Sequence, residues 1–239
     1  MNSQGTLRWV VFGVLAMGCN PDPGEVDEQV GYRAGTESTS SGERGSVKIS
    51  EVLWAGSSSG RGERDPTDVF VELRNESAFP LNLGGWFLEM EGAVNQTWRI
   101  PENDLVVAVG EHVFFAAKAD GCFPDADGYI EGLRFPDGDA FRLTLMDADE
   151  RLIEPVGDDS MPPMAGVWDT VRVRSMERIE IMFGGYGTEP QAWHHYTDAP
   201  VDVPNNDRIK ASCRGTTFAS PGRANSPDYS GAFASGNLE

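Results

Sequence analysis

Apolar side chains recur with a two-residue period through the middle of the chain. Val47 and Ile49 flank Lys48; the phase slips across Ser50-Glu51, and Val52 and Trp54 take it up again. Val69, Val71 and Leu73 alternate with Phe70, Glu72 and Arg74, and Phe141, Leu143 and Leu145 alternate with Arg142 and Thr144. A period of two on β-branched, aromatic and leucine side chains predicts strands with one buried face. Gly84-Gly85 supplies a turn that few other residues allow, and Trp86 opens the next strand. Trp98-Arg99-Ile100-Pro101 closes another strand. Val113-Phe114-Phe115-Ala116-Ala117 is denser, and its Phe pair reads as core. Asp147-Ala148-Asp149-Glu150 turns the chain back into Arg151-Leu152-Ile153-Glu154, which makes a hairpin. Short strands, 28 Gly, 15 Pro and little helical periodicity predict an all-β domain.

The order of these pieces resembles the lamin tail domain family. The resemblance rests on Ile49-Ser50-Glu51-Val52, then Phe70-Val71-Glu72-Leu73-Arg74-Asn75, then Leu81-Asn82-Leu83-Gly84-Gly85-Trp86-Phe87-Leu88. Glu51, Glu72, Asn75, Gly85 and Trp86 are the signature positions. Gly138-Asp139, Leu143, Leu145 and Asp147 resemble the family's closing hairpin, although Asp149-Glu150 replaces its glycine turn and Glu154 its final Asp. Ser175-Met176-Glu177-Arg178 and Ser220-Pro221-Gly222-Arg223-Ala224-Asn225 resemble segments that recur in exported bacterial members. The resemblance therefore runs from 47 to 225. It implies an immunoglobulin-like β-sandwich with Greek-key strands and a C-terminal extension that wraps the domain. Glu51 and Glu72 are then expected to face solvent or pair with backbone donors, rather than to form a catalytic pair. A fold does not fix a function.

Of 239 residues, those between about 47 and 220 carry enough apolar side chains for one core. Nineteen basic against 38 acidic residues give a formal charge of −19. Such a surface repels phosphate backbones and anionic headgroups, so nucleic acid is not an expected partner.

Export is written into the first residues. Arg8 precedes a short apolar run over residues 9–17, too short to span a bilayer, with Gly18 just before Cys19. Residues 1–19 resemble a bacterial lipoprotein signal in which Cys19 carries the lipid; the alternative is a cleaved signal with Cys19 unmodified. Residues 20–46 are polar and predict a flexible tether. Asn20, where an Asp would retain the protein at the inner membrane, favours the outer membrane. The expected location is the cell envelope, with the membrane reached through the lipid anchor only.

Candidate chemistry is sparse. With Cys19 acylated, Cys122 and Cys213 remain as a pair in an exported chain where disulfides persist; two separately buried thiols are the alternative. Asp125, Asp127 and Glu131 around Gly128 loosely follow a calcium loop, although Asp-Gly is also turn chemistry. The Gly/Ser-rich stretch 55–68 predicts a mobile loop and a candidate binding edge. His194-His195 would face opposite sides of a strand and chelate poorly; a surface turn beside Trp193 is the simpler expectation. No nucleophile elbow, phosphate loop or dinucleotide fingerprint stands in a strand-to-helix context. Residues 226–239 are expected to fray. The function expected is a non-catalytic module with a structural, adhesive or binding role toward an envelope protein or polymer. No cofactor is required, and calcium is the possible exception. Calcium-dependent recognition and metal-dependent hydrolysis are the alternatives.

Overall fold

The computed structural model describes residues 42–60, 63–101, 104–179, 186–197 and 206–228. The signal peptide with Cys19, the tether up to residue 41 and the tail from residue 229 lie outside the described residues. Among the described residues every regular element is a strand, apart from a 3-10 turn at Pro190–Ala192.

The alternating segments form two facing sheets. The larger runs in the order Gly128–Tyr129, His112–Ala116, Phe70–Asn75, Val47–Leu53, Met176–Arg178, Trp193–His195. Its neighbours are antiparallel except at the Gly128–Tyr129 edge, which is parallel to His112–Ala116. The smaller, wholly antiparallel, runs Leu152–Asp158, Phe141–Met146, Phe87–Gly92, Gln96–Arg99. Between them lie Ile49, Val52, Val71, Leu73 and Phe115 from one sheet and Leu88, Phe141, Leu143, Leu145 and Val156 from the other. Trp86 is buried completely in the same core. The chain is an all-β sandwich.

The slip in the apolar phase has a structural cause. Register between Val47–Leu53 and Phe70–Asn75 shifts between Ile49 and Glu51, so Ser50 is the extra residue of a β-bulge. The bulge returns Val52 to the core face that Ile49 occupies, three positions earlier.

The outer face of the larger sheet is itself apolar and needs a cover. Leu53, Phe70, Phe114 and Ala116 point away from the main core and form a second one with Phe123, Ile209, Cys122 and Cys213. Phe70 meets Phe114 and Phe123 edge-on, at 5.6 and 4.9 Å between ring centres. Phe114 and Phe115 are therefore both core, on opposite faces of one strand. Residues 206–228 lie over this face, fixed by the Cys122–Cys213 disulfide with 5.9 Å between Cα atoms.

Several expectations change. The packed domain includes Gly42, ahead of residue 47: its N–H donates to Asp147 Oδ2 at 3.1 Å, and a Cβ there would lie 2.6 Å from the Trp86 ring. At the other end Ser226 is buried and bonded rather than frayed. The stretch 55–68 is not a free edge. Ser57–Ser58 pairs with Arg64–Asp65, and the Ser58 N–H donates to Thr217 Oγ1 at 2.8 Å. Trp193–His195 is a strand, not a surface turn, with His194 buried and His195 exposed. In the hairpin turn Glu150 takes the left-handed backbone that glycine favours, at φ 62°.

Candidate functional site

Three glutamates form a row across the centre of the larger sheet. Glu51 stands in register with Glu72 on one side and with Glu177 on the other. All three are 0% exposed. Unpaired burial of even one carboxylate would be costly, so the donors decide whether the row can exist.

The donors come from the C-terminal cover. Ser220 N–H donates to Glu51 Oε1 at 2.9 Å, and Gly222 N–H to Glu72 Oε2 at 2.6 Å. Ser226 donates to Glu177 Oε2 through its N–H at 3.1 Å and through its hydroxyl. Glu72 also accepts from the bulged Ser50 Oγ at 2.7 Å and lies 2.7 Å from His112 Nδ1. His194 Nε2 stands 3.7 Å from Glu177 Oε2. Asn225 donates through its amide to the carbonyls of Ser50 and Arg178, at 2.9 and 2.8 Å. Gly222 has φ 76°, and a Cβ there would lie 2.2 Å from Arg208 Nη1. The glutamates and the Ser-Pro-Gly-x-x-Asn segment thus make one clasp. The expectation that Glu51 and Glu72 face solvent is corrected; pairing with backbone donors is what occurs.

Proton counting calls for a proton on the row. Ser220 Oγ lies 2.5 Å from Glu177 Oε1 and 3.2 Å from Glu51 Oε2, and one hydroxyl has one proton to give. Both contacts are hydrogen bonds only if one of the two carboxyls holds a proton and donates to Ser220 Oγ, whose own proton goes to the other. The electrostatics favour Glu51 as the holder. Burial, then the neighbouring Glu177 and Glu72, push the Glu51 carboxyl well above the ordinary range. Burial also raises Glu177, against the opposing Ser220, Ser226 and His194 contacts.

The remaining signature residues are structural fasteners. Asn75 donates to the carbonyls of Phe79 and Val107 at 2.8 and 2.9 Å and accepts from Ser77 N–H, tying a turn to the sheet edge. Gly85 has φ 81° directly before buried Trp86. Asp68, unremarked in the sequence, is buried behind the disulfide and accepts from Ser57 Oγ and Cys122 N–H at 2.5 and 2.7 Å; burial raises its carboxyl.

Asp125, Asp127 and Glu131 do not converge. The Asp127 carboxylate accepts from Arg208 Nη2 at 2.7 Å and from Phe114 N–H at 2.9 Å, while the Asp125 backbone carbonyl accepts from Arg208 at 2.9 Å. Asp125 and Glu131 are otherwise exposed. The cation held in this loop is a guanidinium, and the donor set does not fit a calcium ion. Among the described residues no group of three or more His, Cys, Asp or Glu side chains is arranged to hold a metal.

Two adjoining cavities, of about 220 and 630 Å³, open beside the clasp and share Lys48 and Arg178 as lining residues. Sequence reasoning passed over this cleft because its basic residues are scattered along the chain. No family model matches the chain, and no curated protein matches it in sequence.

Proposed function

We propose that this protein is a non-catalytic recognition module of lamin-tail type. A lipid on Cys19 holds it at the bacterial cell envelope, and residues 20–41 set it off from the membrane. Its role is structural or adhesive, toward an envelope protein or polymer. The observation that carries the reading is the use made of the signature glutamates. Glu51, Glu72 and Glu177 are sealed from solvent and end on donors of residues 220–226 or of the sheet itself. A catalytic carboxylate must reach a substrate or its water; these reach the chain. The cleft beside Arg178 is the concave surface that recognition would use.

The test uses the full chain, expressed with its signal, and a Cys19→Ala variant. Lipid labelling and envelope fractionation should retain the first and release the second. Purified protein should co-sediment with an envelope polymer fraction and show no hydrolysis of ester, glycoside or phosphodiester substrates. Hydrolysis that disappears in Glu51→Gln, or equal fractionation of both proteins, would overturn the reading.

A further inference from the structure

In a chain of formal charge −19, the cleft beside the clasp carries the opposite sign. Four basic side chains line it, Arg44, Lys48, Arg74 and Arg178, against the two acids Glu76 and Glu154. Burial raises the Glu154 carboxyl, against the opposing pull of Arg178. A concave site with low-dielectric walls focuses this local potential on an anion.

The cations are placed by the fold. Lys48 and Arg74 are directly opposite in strand register, an arrangement of like charges that costs stability. Glu76 holds the pair, 3.7 Å from Lys48 Nζ and 3.2 Å from Arg74 Nε. Arg178 is more rigid still. Its side chain is 7% exposed, Nη1 lies 3.0 Å from Glu154 Oε1, and the guanidinium stands 5.1 Å from the centre of the Trp193 ring. At the rim is Tyr186, 76% exposed, the most exposed large apolar side chain among the described residues.

We infer that this cleft binds a uronic-acid oligosaccharide. A carboxylate-bearing sugar matches each lining group. Its carboxylate suits the guanidinium and ammonium groups. Its hydroxyls can donate to Glu76 and Glu154, which would repel a densely charged phosphate polymer. The apolar face of its ring can stack on Tyr186. A run of glutamates would satisfy the cations, and its N–H groups the two carboxylates, but it has no apolar ring face for the aromatic rim. The inference rests on the recognition reading above and names its ligand class.

The experiment is titration calorimetry of the full chain with trigalacturonate, beside maltotriose, triglutamate and inorganic phosphate. Trigalacturonate should bind saturably, and roughly ten-fold or more tighter than each comparison ligand. Lys48→Glu should weaken it by roughly ten-fold or more, and Tyr186→Ala by several-fold, with the folded circular dichroism spectrum retained because both side chains are at least partly exposed. No binding of trigalacturonate, equal binding of triglutamate or phosphate, or indifference to both substitutions would overturn the proposal. If trigalacturonate fails while the chain still co-sediments with an envelope polymer, the ligand class falls and the recognition reading stands. Hydrolysis of trigalacturonate would overturn both.

Discussion

Glu51→Gln tests the charge assignment in the clasp. Glutamine has the shape of a protonated glutamic acid. Its carbonyl can accept from Ser220 N–H, where Oε1 accepts at 2.9 Å, and its amide can donate to Ser220 Oγ, 3.2 Å from Oε2. At pH 5 the substitution should therefore cost about 1 kcal/mol or less. Above that pH the two proteins should diverge. In the unfolded chain Glu51 ionises near pH 4.3, about its free value. In the folded chain burial and the two neighbouring glutamates hold the proton longer. The stabilisation from Glu51 is thus complete below about pH 4.3 and is lost as pH rises, at about 1.4 kcal/mol per pH unit, until the folded carboxyl ionises. Glutamine has no proton to lose and should not show this slope. Urea denaturation at half-unit steps from pH 5 to pH 8 reads the difference, and the acidic groups outside the row give a background common to both proteins. Parallel loss of stability in wild type and variant would refute the assignment. So would a cost above roughly 3 kcal/mol at pH 5, which would mean that the row needs Glu51 ionised.

Three further outcomes follow from the fold. Reducing the Cys122–Cys213 disulfide, which spans 91 positions, should remove about 4–5 kcal/mol, seen as a lower urea midpoint. Trypsin should then cleave first at Arg208, Lys210 or Arg214 as the cover lifts; an unchanged midpoint would mean that the cover holds without the bond. Glu150→Gly should raise stability by about 1 kcal/mol by relieving the left-handed backbone at φ 62°, measured as a higher melting temperature. Millimolar calcium or a chelator should leave the melting temperature unchanged, because Arg208 already occupies the Asp127 carboxylate. A calcium-dependent rise lost in Asp127→Asn would show that the ion displaces the guanidinium.

The two-residue periodicity announced the strands because it is a local property. Val69, Val71 and Leu73 had to share a face wherever their strand ended up, and Trp86 and Phe141 arrived in one core. The phase slip at Ser50 was also visible, though not its meaning: only the partner strand shows that one extra residue is being absorbed. Cysteine parity left Cys122 and Cys213 as a pair, which the disulfide realises.

Glu51, Glu72 and Glu177 looked like ordinary polar positions of half-buried strands, and nothing in their immediate neighbours says otherwise. Their burial depends on a segment at the far end of the chain laying Ser220, Gly222 and Ser226 across the sheet. The cleft is the same kind of fact. Lys48 and Arg74 meet by strand register, and Arg178 joins them from a strand added on the other side. Side-chain alternation is fixed by backbone geometry one residue at a time, so the sequence alone determined which segments are strands and which residues face a core. Whether a charged side chain on the other face meets water, a donor or a like charge depends on which distant segment packs over it. That was decided only when the sheets and their C-terminal cover closed.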